Sequence, residues 1–206
     1  LLGHSKFEEA LLYYTRCYVQ PEDNLTAWHA AVFAGKCCWQ LGRWKDLSNW
    51  AMIAVNGFPE LKDGYFLMAQ AEWWGRQDAA RTLTWIENCA DKQSAPLAVF
   101  VNPQDYTLNV WDIQHRAYAS LGLWQEALAV VENALALVPG DPKWEMFTWF
   151  YAEAWRSESS VTAAVQVADH LVRRQDTLKA YDFALRYLPH SIETDKRIVN
   201  LRRRLH

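Results

Sequence analysis

The run Leu41, Gly42, Arg43, Trp44 recurs as Leu121, Gly122, Leu123, Trp124, and the match continues well past it. The segments LGRWKDLSNWAMIAVNGFP (41–59) and LGLWQEALAVVENALALVP (121–139) share Leu-Gly-x-Trp and a small or apolar residue at Leu47 and Ala127. They also share an alanine at Ala54 and Ala134 and a closing proline at Pro59 and Pro139. In the second copy Leu121, Trp124, Leu128, Val131, Leu135 and Val138 fall three or four apart, which puts them on one stripe of a helix. A stripe of that length must be covered from end to end. A chain that repeats it can cover it with copies of itself, so the recurrence points to helices stacked unit upon unit.

A third copy begins at WWGRQDAARTLTWIENCA, with Gly75 expected at the turn and Ala80 in the helix that follows. The interval from Gly75 to Gly122 is longer than that from Gly42 to Gly75. The stretch DKQSAPLAVFVNPQ (91–104), with two prolines and no helical period, is where the excess fits. Upstream of the turns lie further helical patterns, NLTAWHAAVFAGKCCWQ before Gly42 and YTLNVWDIQHRAYAS before Gly122. Each unit is therefore a helix, a glycine turn and a second helix. Small Ala and Gly let paired helices approach closely, aromatics fill the holes left by the next unit, and proline stops the second helix. Trp44 and Trp124 accordingly read as packing residues.

This pattern resembles the tetratricopeptide repeat, most fully at Trp111, Tyr118, Gly122, Trp124, Ala127, Val131, Ala134 and Pro139. It departs from it at Gln114 and His115, where the family prefers Leu-Gly. The earlier copy keeps Ala34 and Gly35 but carries Ala31 and Cys38 in place of Trp and Tyr. The resemblance implies an all-α fold, a right-handed superhelix of antiparallel helix pairs (a TPR-like α-solenoid), over residues 1–156. Residues 157–206 would continue the solenoid or lead to a further domain.

At the start, Phe7, Ala10, Tyr14 and Cys17 stand where Trp124, Ala127, Val131 and Ala134 stand in the best copy, so a helix from Lys6 to Val19 reads as the second half of a unit. With its first half missing and no initial Met, the chain is expected to be a piece of a longer polypeptide. Asp141 and Pro142 form an N-cap and first-turn proline for a helix over 143–156. Weaker helical patterns cover 160–173, 176–187 and 192–204. The last of them, ETDKRIVNLRRRLH, is basic without interleaved aromatics, which suits a solvated helix better than a nucleic-acid arm.

The formal net charge is -3 with both signs scattered, so no basic surface advertises nucleic acid. Cys17, Cys37, Cys38 and Cys89 form no CxxC pair and suit reduced, buried thiols in a cytoplasmic protein. There is no long apolar run for a membrane span and no secretion signal at the start; the sequon at Asn24 marks a helix start more naturally than a glycan. No HExxH, GxSxG, phosphate-loop, GxGxxG or Asp-x-Asp pattern occurs, and His4, His29, His115, His170, His190 and His206 are not paired at metal-ligand spacing. No catalytic residue, cofactor or metal is therefore expected.

Binding is the better candidate. In a helical-repeat array the first helices line the inner wall, at positions about four apart. That geometry nominates His29, Lys36, Trp39 and Gln40, then Tyr65, Glu72 and Trp73, then Asn109, Asp112 and Arg116, and finally Trp144, Thr148 and Tyr151. The set mixes aromatic, hydrogen-bonding and charged groups, as would suit a peptide, a sugar chain or a neighbouring domain. Residues 25–156, with APLAVFVNPQDYTLNVWDIQHRAYASLGLWQEALAVVENALALVPGDP at their centre, are similar to a helical region that accompanies the catalytic domain in bacterial and phage family 2 glycosyltransferases. The resemblance implies an accessory domain that packs on, positions or dimerises such an enzyme, or presents its carbohydrate acceptor. The partner would be its own catalytic domain or another subunit. A stand-alone adaptor for a peptide, or a carbohydrate-binding module, fits the same groove.

Overall fold

The computed structural model describes residues 2–93, 103–158, 163 and 165–167. Among them the chain is helical, without a strand. The helices are α1 (Leu2–Val19), α2 (Asn24–Gln40), α3 (Trp44–Gly57), α4 (Lys62–Ala71), α5 (Ala79–Ala90), α6 (Pro103–Ser120), α7 (Trp124–Leu137) and α8 (Pro142–Ser157). A π-helical turn, Glu72–Arg76, extends α4. No described helix is long and apolar enough to cross a membrane. Most of the inserted stretch at 91–104 and of the helices expected after 160 lies outside the described residues.

Two compact units are defined, 1–121 and 122–206. In the first, α1 to α6 pack in chain order, each on the next, and α2 also packs on α4. Connections of two to four residues make sequential neighbours from α1 to α5 antiparallel. The main core joins α2, α3 and α4 through Trp28, Ala31, Ala34, Cys38, Leu47, Ala51, Ala54 and Leu67. A second cluster joins α4, α5 and α6 through Phe66, Ala69, Ile86, Cys89 and Ile113. In the second unit α7 packs on α8, where Trp124 lies 6.4 Å from the Phe150 ring and stacks on Tyr151, which in turn stacks on Phe147 at 5.7 Å.

Helix starts follow the local chemistry. The Asp23 carboxylate accepts from Thr26 N–H to open α2, and Asp78 accepts from Arg81 N–H at 3.0 Å to open α5. Asp141 accepts from Lys143 N–H at 2.8 Å with Pro142 in the first turn, as its sequence predicts. Between α4 and α5 one backbone bridge closes the hairpin: Lys62 N–H donates to the Gln93 carbonyl at 3.0 Å, and Gln93 N–H donates to the Glu60 carbonyl at 2.8 Å.

The repeat register is visible in what is buried. Leu47, Thr82 and Ala127 occupy one position in α3, α5 and α7; Ala51, Ile86 and Val131 a second; Ala54, Cys89 and Ala134 a third; all nine are buried. One position ahead of the N-caps of α3 and α7 the chain adopts the left-handed conformation, at Gly42 (φ 68) and Gly122 (φ 74). In the third copy that conformation falls on Gln77 (φ 55), not on Gly75. Gly75 sits inside the π turn, where a Cβ would come within 2.6 Å of Trp44 Cβ. Its role is close approach to the start of α3, and the turn itself lies two residues later.

Candidate functional site

The first unit contains an open cleft of about 530 Å³ lined by the facing sides of α1, α2, α4 and α6. From α2 come Phe33, Lys36, Cys37, Trp39 and Gln40, spaced so that they share one helix face. From α4 and its π turn come Asp63, Phe66, Leu67, Gln70 and Trp74, and from α6 come Asn109, Asp112 and Ile113. Phe7, Ala10 and Tyr14 of α1 complete the wall. The lining is mostly aromatic and aliphatic, with three amides and three charged side chains of two signs. Few polar groups on an apolar wall is the usual build of a small-ligand or peptide site.

Burial shapes the charges. Lys36, with Nζ 5.1 Å from the Phe33 ring centroid, is pushed below the usual lysine range by desolvation, against which the attraction of Asp63 acts. The same desolvation raises the Asp63 carboxyl above its ordinary range, opposed by Lys36, its own backbone N–H, Lys62 and His29. Asp112 is held within its helix by Arg116 at 3.4 Å and His115 at 3.3 Å. Tyr14 is raised by burial and by Cys37 and Cys17.

Five of the residues expected to line a groove meet in this cleft: Lys36, Trp39, Gln40, Asn109 and Asp112. His29 lies one turn before Phe33 on the same face of α2, its ring 5.0 Å from that of Trp28. Arg116 lies one turn beyond Asp112 and bonds it. The α4 candidates go elsewhere. Tyr65 is buried and its hydroxyl donates to the Pro59 carbonyl at 2.9 Å. Glu72 is wholly buried, with one carboxylate oxygen 2.8 Å from Arg76 and 3.5 Å from Arg81 and the other without a partner among the described residues. Trp73 packs against the α4–α5–α6 core. In the second unit Trp144 and Tyr151 are buried, while the Thr148 hydroxyl donates to the Trp144 carbonyl at 2.9 Å.

The residues that α4 does contribute follow from the true turn. Asp63 and Gln70 stand 34 positions after His29 and Lys36, once the extra residue of the π turn is counted back from Gln77. Taking Gly75 as the turn rotates the expected face of α4 away from Asp63, Phe66 and Gln70. The signal that could have corrected this is Asp78, whose carboxylate three residues before Arg81 marks the start of α5.

The first unit is thus a set of helices packed in chain order around an open cleft of mixed apolar and charged lining. No protein-family model matches the chain, and no curated protein matches it.

Proposed function

We propose that this chain is a non-catalytic helical-repeat interaction domain, built as a TPR-like superhelix, whose working surface is the cleft of α1, α2, α4 and α6. The observation that carries the reading is the convergence of Lys36, Asp63 and Asp112 with Trp39, Trp74 and three amides on one open cavity. Ordered pairing of sequential helices, together with the contact of α2 on α4, supports the repeat architecture. The similarity of residues 25–156 to regions accompanying family 2 glycosyltransferases supports a cytoplasmic accessory role, in which the cleft packs on or positions the catalytic domain or its acceptor.

Reading the gene through both ends of this stretch tests that role. A nucleotide-sugar-binding α/β domain in the same frame is the expected finding, and its absence refutes the accessory role. With that catalytic domain in hand, calorimetry against the 206-residue chain should show binding. Gln70→Arg, which places a long cation in the cleft, should weaken it at least tenfold; unchanged affinity would exclude the cleft as the contact surface.

A further inference from the structure

Two opposite charges in the cleft do not touch. Lys36 and Asp63 both line it and both are half-buried. No hydrogen bond or ion pair joins their side chains, although each feels the other's field. Beyond the Phe33 ring for Lys36 and its own backbone N–H for Asp63, neither half-buried charge has an opposite charge in contact with it among the described residues. The third charged side chain, Asp112, is engaged by Arg116 and His115 on its own helix. The charge left for a ligand is thus one cation and one anion.

That balance sorts ligands by class. A net anion gains at Lys36 and is repelled at Asp63; a net cation has the reverse problem. A neutral sugar finds the amides of Gln40, Gln70 and Asn109 but brings no charge to Lys36 or Asp63, and so leaves both uncompensated. A molecule with an ammonium and a carboxylate on one carbon and an apolar body meets both charges and the rings together. We propose that the cleft binds a free zwitterionic α-amino acid with an aromatic or large aliphatic side chain, its carboxylate on Lys36 and its ammonium on Asp63. The cavity, about 530 Å³, is of ordinary size for a small-molecule site. The inference rests on the cleft being the domain's binding surface and specifies what it recognises.

Calorimetry on the 206-residue chain with L-phenylalanine, L-tryptophan and L-leucine tests it. The blocked forms N-acetyl-L-phenylalanine and L-phenylalaninamide, the dipeptide Phe-Leu and neutral hexoses serve as the comparison set. Free amino acids should bind at least tenfold more tightly than either blocked form or the dipeptide. Lys36→Met should abolish the preference over phenylalaninamide, and Asp63→Asn the preference over the N-acetyl compound, each with an unchanged circular dichroism spectrum. Equal binding of blocked and free forms, tighter binding of the dipeptide or a hexose, or no heat with any amino acid would overturn the proposal. If amino acids give no heat while the catalytic domain still binds and Gln70→Arg blocks it, this inference falls and the interaction role stands. If amino acids bind with the expected preferences and no catalytic domain does, the reverse holds.

Discussion

Replacing Gly75 by alanine tests whether that residue is a packing contact or a turn. The added Cβ would lie 2.6 Å from Trp44 Cβ and 3.1 Å from Trp44 Cγ. Because Trp44 is the first residue of α3, its Cβ moves only with the backbone, and no side-chain rotation relieves the clash. Overpacking costs about 1–3 kcal/mol, and a clash that only backbone movement relieves falls in its upper part, about 2–3 kcal/mol, offset by the helical advantage of Ala over Gly of about 1 kcal/mol. A net loss of about 1–2 kcal/mol corresponds to a fall in Tm of about 2–8 °C for a chain of this size. Gly57→Ala, with nothing within 4 Å of the new methyl, is the matched control and should hold or raise Tm. Gln77→Gly supplies the converse: it relieves a left-handed non-glycine residue at φ 55 and should stabilise by about 1 kcal/mol. Calorimetric melts of the three variants at one concentration decide it. A Gly75→Ala protein that melts at or above the parent would refute the close contact with Trp44, and a Gln77→Gly protein that melts below the parent would refute the left-handed turn at Gln77.

Further outcomes follow from burial and charge. The raised pKa of Asp63 means the folded state binds its proton more readily than the unfolded chain does, so its ionisation costs stability at neutral pH. That cost disappears as pH falls through the folded pKa toward 3.8. Asp63→Asn should thus raise the urea midpoint at pH 7 and leave it unchanged near pH 3.5; an equal effect at both pH values would contradict the assignment. Burial holds the Cys38 thiol up at about 11 and also raises that of Cys37, whereas Cys17 is only half-buried. Iodoacetamide at pH 8 should modify Cys17 first and reach Cys37 and Cys38 only in urea, as read by mass spectrometry of peptides. Tyr151→Ala removes a ring stacked between Trp124 and Phe147 and should destabilise the second unit by about 3–5 kcal/mol, followed by near-ultraviolet circular dichroism; a loss below 1 kcal/mol would show that the ring is not core.

The helices themselves were legible because their signals are local. Asp141 and Pro142 opened α8, and the three-and-four spacing of Trp124, Leu128 and Val131 marked the buried side of α7. The α2 and α6 faces of the cleft were legible too, since both count back from glycines that do adopt left-handed turns, at Gly42 and Gly122. The α4 face was not. A π turn adds one residue without any compositional mark, and each residue of offset turns a helix face by about a quarter circle. Periodicity also leaves open which of two faces is covered. On α8, Trp144, Phe147, Tyr151 and Ala154 form one continuous buried stripe, the mark of a core face, whereas the aromatic chemistry of Trp144 and Tyr151 alone had suggested a groove.

The backbone bridge between Leu61 and Gln93 sets how load enters the first unit. An isolated helix end peels under tension one turn at a time, but here a pull on the chain after residue 93 is met by the hydrogen bonds of Gln93 to Glu60 and Lys62. The force is handed across to the first turn of α4, one residue before Asp63, instead of unwinding α5. The bridge thereby ties the end of α5 to the start of a helix that walls the cleft.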